Sequence, residues 1–164
     1  MLPRITHRVR QFFGALRPRV TADDRADAYR YLNPPLRTVF EAMTLRDQQH
    51  GIVVYQRVRE AAQGDDPALF AAALLHDCGK GDVRLWHRVA YVMLGPLPGA
   101  QVRAASEHAT SWRRAIWRLL HHPRLGAEIA AAAGAEADVV RMIREQESAA
   151  PDARLALLQA ADEA

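Results

Sequence analysis

The sequence predicts an all-α protein, a compact multi-helix bundle in a chain about one domain long. Alanine, leucine, arginine and glutamate are strong helix formers, and they dominate the 164 residues. No segment shows the strict polar and apolar alternation that a half-buried strand requires. Glycine and proline recur where helices would begin or end. A chain of this length can bury roughly 70% of its unfolded surface, so no metal or disulfide is needed for folding.

Apolar periodicity, interrupted by these breaks, predicts ten helices in chain order. They cover residues 5–16, 22–31, 35–43, 46–62, 67–77, 84–94, 111–120, 123–133, 136–147 and 152–162. The breaks that separate them are rich in proline and glycine: Asn33-Pro34-Pro35, Gly64-Asp65-Asp66-Pro67, Gly79-Lys80-Gly81, Gly95-Pro96-Leu97-Pro98-Gly99, Pro123, Gly134 and Pro151. None of them is long enough to act as a linker between domains.

Charge is distributed unevenly, although the formal net charge is only +3. Residues 1–20 contain five arginines and no acid, whereas residues 127–164 contain eight acids and three arginines. The basic start could contact nucleic acid, a membrane surface or a partner. An amphipathic helix with a solvated arginine face is the favoured interpretation, because no nucleic-acid motif accompanies these arginines. A nucleic-acid partner is therefore not expected.

Cysteine content and hydropathy predict a soluble protein of the cytoplasm. Cys78 is the single cysteine, which excludes an internal disulfide framework and any multi-cysteine zinc site. Near the start, the longest apolar run covers residues 12–16 and is too short for the core of a secretion signal. No uncharged span of 18 residues occurs, so no integral membrane segment is expected.

The most informative segment is the apolar run Ala71–Leu75, which ends abruptly in His76 and Asp77 and is followed by Lys80, the only lysine of the chain. Residues one apart on a helix point about 100° apart, so these two side chains can share an ion only beside the last helical turn. Gly79 is expected to take the left-handed conformation that ends helices and to turn Lys80 toward the same place. A metal beside a cation suits a phosphate.

Two more side chains are candidate ligands, because one ion needs more than two. His50 stands between the polar residues 47–49 and the apolar residues 52–54, near a core boundary. Asp162 ends another apolar helix, where burying an unpaired charge would be costly. Imidazole and carboxylate donors suit Mn, Fe, Zn, Co or Mg to differing degrees, so one divalent metal ion of open identity is predicted.

The pattern of a histidine, a His-Asp pair about 26 residues later and a distant aspartate resembles the HD-domain superfamily of metal-dependent phosphohydrolases. The most specific part is Ala73-Leu-Leu-His-Asp-Cys-Gly-Lys80, in the form His-Asp-x-Gly-Lys. The resemblance covers residues 36–164 and leaves residues 1–35 as a basic helical extension. It implies an all-helical domain that holds a divalent ion through His50, His76, Asp77 and Asp162 and hydrolyses phosphomonoesters or phosphodiesters, typically of nucleotides.

A second segment, His122-Pro123-Arg124-Leu125-Gly126-Ala127-Glu128, is similar to one in the signalling subgroup of this superfamily that cleaves cyclic dinucleotides. In that subgroup the histidine helps to bind a second metal. We expect Pro123 to end one helix and to hold His122 just ahead of the next. The later His-His-Glu of the subgroup is replaced by Glu145-Gln146-Glu147, so cyclic dinucleotide cleavage is not supported, and a second metal would need Glu145 as an unusual ligand.

These observations predict catalytic roles for three residues. Asp77 would hold the ion and accept a proton from water, while Lys80 and His122, with Arg124 as a further candidate, would neutralise developing charge. The segment is not a nucleotide phosphate-binding loop, because Leu74 stands where its first glycine must be. The alternative to an enzyme is a catalytically degenerate HD-like module that binds metal as a sensor or scaffold.

Overall fold

Seven α-helices and one 3₁₀-helix form the part of the chain that the computed structural model describes, residues 18–81 and 112–164. They are α1 (Ala22–Ala28), α2 (Pro34–Ala42), α3 (Leu45–Ala61), α4 (Pro67–Leu75), the 3₁₀-helix (Cys78–Lys80), α5 (Trp112–Ala132), α6 (Ala137–Glu145) and α7 (Ala153–Glu163). No strand occurs in these residues, and the predicted all-α class is confirmed. The helices predicted over residues 5–16 and 84–94 lie outside the described residues.

Short polar side chains fix where most of these helices begin. Each accepts a hydrogen bond from the backbone N–H three residues later, which satisfies one of the amides left unpaired in the first turn. The residues that do this are Thr21, Asn33, Thr44, Asp66 and Asp152. Proline follows at the first position of α2 and of α4, where its missing N–H costs nothing.

Helix α4 runs through the middle of the core. Every residue from Leu69 to Leu75 is buried, and α3 and α6 pack against this helix. Each leucine side chain buried there contributes about 1.5–3 kcal/mol. The polar residues that follow α4 are thus delivered into the interior rather than to the surface.

The described part of the predicted N-terminal extension packs on this same core. Ala28 and Leu32 are fully buried and belong to the cluster that contains Phe40 and Phe70. Residues 1–17 lie outside the described part, so the domain boundary at residue 35 stays a prediction. Among the helices described, none has both the length and the apolar character that crossing a membrane would require.

Helix α5 corrects the prediction of two helices separated at Pro123. It continues without a break from Trp112 to Ala132, with Pro123 in its interior. Proline has no N–H to donate to the carbonyl four residues earlier, here that of Leu119. That carbonyl instead accepts a hydrogen bond from ring Nδ1 of His122, at 2.7 Å. The side chain next to the proline therefore replaces the missing backbone donor and helps the helix to continue.

Candidate metal centre

His76 and Asp77 lie where α4 leaves the core. The helix ends at Leu75 rather than at residue 77 as predicted, and His76 is its C-terminal cap. Asp77 has φ −94° and ψ 1°, and both side chains are only 1% exposed. Nδ1 of His76 donates to the carbonyl of Ala73, at 2.8 Å. Since a carbonyl only accepts, the hydrogen of the neutral ring lies on Nδ1, and Nε2 keeps its lone pair for a metal.

Lys80 reaches this position by a different turn from the one predicted. Gly79 does not adopt a left-handed conformation and lies within the 3₁₀-helix, whereas Gly81 has the positive φ, 61°. A Cβ on Gly79 would stand 2.1 Å from the His122 carbonyl oxygen, so glycine is needed there for close packing on α5. The Lys80 ammonium donates to Oδ2 of Asp77 at 2.6 Å, and Oδ1 is left for other partners.

His50 and Asp162 complete the cluster from two other helices. Nε2 of His50 lies 2.7 Å from Oδ1 of Asp162 and 3.9 Å from Oδ2 of Asp77. The Asp162 oxygen is also 3.5 Å from Nε2 of His76. Beside His50, a Cβ on Gly51 would stand 2.6 Å from the Leu74 carbonyl oxygen. The absence of a side chain at Gly51 therefore lets α3 approach α4 closely enough for the two histidines to meet.

Three of the four predicted ligands have donor atoms close enough together to share one metal ion. One ligand atom each of His50, His76 and Asp77 lies within 4.8 Å of the other two. Bonds of about 2.0–2.3 Å to a common ion separate its donor atoms by roughly 3–4.5 Å. Within the described residues, Nε2 of His76 and Oδ1 of Asp77 are buried and have no hydrogen-bond partner. An unpaired buried polar atom costs about 1–3 kcal/mol, and a shared cation would satisfy both atoms.

The electrostatic balance of the cluster also favours a cation. Burial lowers the pKa of His76, but Asp77 and Asp162 outweigh that effect and raise it above its ordinary value. Burial raises the pKa of Asp77, yet His76, Lys80 and His50 hold it well below its usual range. The pKa of Asp162 is likewise depressed, since the two histidines outweigh its burial. Both carboxyl groups are therefore ionised at neutral pH, as metal ligands must be.

His122 faces the cluster from inside α5 rather than from ahead of a helix. Its Nε2 lies 3.8 Å from Oδ1 of Asp77 and 3.9 Å from Oε1 of Glu147. Because Nδ1 donates to the Leu119 carbonyl, Nε2 of the neutral ring carries a lone pair. Burial, followed by the charge of Lys80, lowers the pKa of His122. The structure therefore brings all six predicted site residues together: His50, His76, Asp77, Lys80, His122 and Asp162.

Two other candidates lie apart from the cluster. Glu145 is exposed and pairs with Arg141 at 3.3 Å, so it is not available as a ligand in this arrangement. Arg124 is exposed and pairs with Glu128 at 2.8 Å. Cys78 is buried, and burial raises the pKa of its thiol to about 12, so it is a poor nucleophile.

Sequence reasoning missed the contribution of Gln146, which is buried beneath the cluster. Its side-chain amide donates to the His76 carbonyl at 2.9 Å and to the Ile143 carbonyl at 3.0 Å. The backbone carbonyl of Gln146 accepts a hydrogen bond from the side-chain amide of Gln159. In the sequence, Gln146 stands between two charged residues, Glu145 and Glu147. The one signal that could have pointed to it is that the resembled signalling subgroup has a histidine at this position. Its role is to hold the backbone of a predicted ligand.

Comparison with protein-family models, with curated proteins and with solved structures gave no match to this chain.

Proposed function

We propose that the protein is a metal-dependent phosphohydrolase of the HD type. One observation carries the proposal. Two buried atoms without hydrogen-bond partners in the described chain, Nε2 of His76 and Oδ1 of Asp77, meet the side chains of His50 and Asp162 at the end of a core helix. The four residues are those that the sequence resemblance implies as ligands. The burial of His76 and Asp77, the ionised state of the carboxylates of Asp77 and Asp162, and the mutual distances of His50, His76 and Asp77 support binding of one divalent ion.

The donor set narrows the choice of metal. Two imidazoles and two carboxylates suit Mn, Fe, Co or Zn better than Mg, which prefers oxygen donors and keeps several waters. When bound at such a site, a divalent ion provides a nucleophile by acidifying water and offsets the charge of a phosphoryl group. The sequence resemblance implies the substrate class, a phosphoester of a nucleotide or a related small molecule.

The chain's own residues supply the remaining chemistry. Lys80 neutralises one oxygen of Asp77 through their contact at 2.6 Å, and its ammonium stays close enough to attract a phosphoryl oxygen. His122 presents an unprotonated Nε2 toward the same carboxylate, so it is suited to accept a proton from water or to return one to the leaving group. Asp77 is the weaker base, because its pKa is held low, and its role is to hold the ion.

The test is hydrolysis of a generic phosphomonoester, a generic phosphodiester and a nucleotide panel by the purified full chain with added Mn, Co or Zn. We expect turnover that falls at least about 100-fold in His76→Ala and Asp77→Ala, because even residues behind metal ligands contribute 10–100-fold. His121→Ala is the matched control. Its ring bonds to the Trp117 carbonyl and stacks on Trp117, so the variant should keep wild-type activity.

A second candidate is a catalytically degenerate HD-like module that binds metal as a sensor or scaffold. Gln146 favours it: at a position where the resembled signalling subgroup has a histidine, this amide bonds backbone carbonyls and adds no ligand. Metal bound at His50, His76 and Asp77 without turnover of any tested phosphoester would select this candidate over the enzyme.

A further inference from the structure

Arg118 lies one helical turn before His122 on the same face of α5, since residues four apart on a helix are neighbours. Its side chain is half-buried and rests on the Gly79–Gly81 turn that carries Lys80. One guanidinium nitrogen donates to the Gly79 carbonyl at 3.3 Å. Arg118 therefore stands beside the predicted catalytic residues, although no motif marks it.

The turn is shaped to receive this side chain. A Cβ on Gly81 would stand 2.6 Å from a guanidinium nitrogen of Arg118. On the other side of Lys80, a Cβ on Gly79 would meet the His122 carbonyl oxygen. Glycine at both positions lets α5 bring Arg118 and His122 against the turn, one on each side of Lys80.

The charge of Arg118 is not neutralised by the described part of the chain. Its partner among these residues is the neutral Gly79 carbonyl, and no carboxylate of the described residues pairs with it. Other arginines differ: Arg124 pairs with Glu128, and Arg154 pairs with both Asp66 and Asp138. A guanidinium has five N–H donors in a planar fork that matches two oxygens of a phosphate. One N–H group of Arg118 donates to the Gly79 carbonyl, and the other N–H groups can donate to an anion.

The part of the cluster around Asp162 is acidic. A recess of about 380 Å³ opens there beside Asp162. Its described lining contains the carboxylates of Glu147, Asp162 and Glu163 together with amide and hydroxyl groups, and no lysine or arginine. This side suits an organic group with hydroxyl or amine donors. A phosphoryl group is accommodated better beside the turn that carries Lys80 and contacts Arg118.

We infer that Arg118 binds the phosphoryl group of the substrate and selects phosphomonoesters over phosphodiesters. This inference rests on the proposed function and concerns the same site. A phosphomonoester has three non-bridging oxygens and a phosphodiester has two. If one non-bridging oxygen contacts the metal cluster, a monoester has two further non-bridging oxygens for the Arg118 guanidinium. A diester has only one. Bidentate contact is thus open only to the monoester.

The test measures binding of inorganic phosphate, the product shared by all phosphomonoesters, by calorimetry with the full chain. Arg118→Gln removes the charge but keeps an amide that can donate to the Gly79 carbonyl. We expect its phosphate affinity to fall about tenfold or more, because charge-assisted hydrogen bonds to the anion are lost. Arg124→Gln is the matched control on the same helix and should stay within about twofold of wild type.

A parallel assay compares kcat/KM for p-nitrophenyl phosphate and bis(p-nitrophenyl) phosphate. Arg118→Gln should reduce the monoester value about tenfold or more and the diester value much less. Phosphate binding and ester preference equal to wild type would overturn the inference, as would a wild-type chain that binds no phosphate, or Arg118→Gln and Arg118→Ala variants that both fail to fold. Phosphate affinity that depends on Arg118 in a chain without turnover would refute the proposed function and leave the anion site standing.

Discussion

His76 and Asp77 are buried at the end of an internal helix, whereas His50 and Asp162 stand at the rim of the same cluster. The buried pair is 1% exposed, and the rim side chains are 34% and 44% exposed. Each buried side chain is held by an additional protein group, the Ala73 carbonyl for His76 and the Lys80 ammonium for Asp77. The rim residues contact each other directly, with Nε2 of His50 2.7 Å from Oδ1 of Asp162.

This difference indicates how the site is assembled. The core half is fixed by the packing of α4 and by Gln146, which holds the His76 backbone from below. The rim half depends on where α3 and α7 lie. Gly51 allows α3 to approach α4 closely, and Arg57 of α3 donates a hydrogen bond to the Ala161 carbonyl of α7 at 2.9 Å. We therefore expect the buried half to set the geometry of the ion and the rim half to tolerate change.

The largest effect is expected from Gly79→Ala, which disturbs the core half. Its Cβ would stand 2.1 Å from the His122 carbonyl oxygen and 2.5 Å from the Gly126 nitrogen, and backbone atoms cannot move aside cheaply. The free energy of unfolding should fall by about 3 kcal/mol, and metal affinity should fall with it. Denaturant unfolding and metal titration measure the two quantities.

Gly64→Ala is the control for this change. Gly64 has φ 135°, and its missing side chain would meet nothing within 4 Å. The substitution strains the backbone by about 1–3 kcal/mol away from the cluster, so it should lower stability and leave metal affinity unchanged. Normal metal binding by Gly79→Ala would show that the packing of this turn on α5 does not position the ligands.

The next largest effect compares substitutions of one histidine in the buried half of the cluster and one in the rim half. His76→Ala should weaken metal binding at least about 100-fold, because water cannot enter the packed core to replace the lost nitrogen. His50→Ala should weaken it about tenfold, since solvent at the rim can take the empty position. Competition with a chelator of known affinity measures both. An equal loss in the two variants would remove the distinction between a fixed half and an adjustable half.

A smaller effect is expected from Gln146→Met. The change preserves side-chain volume but leaves the His76 carbonyl without its amide partner, which costs about 1–3 kcal/mol of stability, and metal affinity should fall a few-fold as the His76 backbone loosens. Gln48→Met is the matched control. Gln48 is also buried and donates to the Glu41 and Met43 carbonyls, so it should lose stability but keep metal affinity. Identical metal affinities in both variants would argue against a supporting role for Gln146.

The smallest effect is expected from Glu145→Gln. This carboxylate is exposed and pairs with Arg141 across one helical turn, a contact that is worth about 0.3–0.5 kcal/mol. Both stability and metal stoichiometry should stay at wild-type values in denaturation and elemental analysis. Loss of a bound ion in this variant would instead show that the cluster extends to α6.

Helical periodicity and local breaks were sufficient to predict the all-α class and most helix positions. The structure also brings the predicted ligands together, and their role as ligands stays a prediction. The helix break predicted at Pro123 was wrong, because a side-chain hydrogen bond from His122 compensates for the missing amide. The conformation predicted for Gly79 was wrong as well, since packing against α5 rather than turn chemistry explains that glycine.

Other features depend on contacts between distant segments and have no local signature. Arg118 and Arg124 look alike in sequence, yet one lies on the Lys80 turn and the other pairs with Glu128 at the surface. Gln146 lies among charged residues and is nevertheless buried. Which of these side chains faces the cluster depends on how α5 packs against the 3₁₀-helix and how α6 packs against α4.

The proposed metal site is tested by anomalous diffraction from crystals of the full chain, measured at the absorption edge of the metal that the chain retains. We expect one divalent ion within about 2.0–2.3 Å of Nε2 of His50, Nε2 of His76 and carboxylate oxygens of Asp77 and Asp162. An anomalous peak at other residues, or no peak at this cluster in a chain saturated with Mn, Fe, Co or Zn, would contradict it.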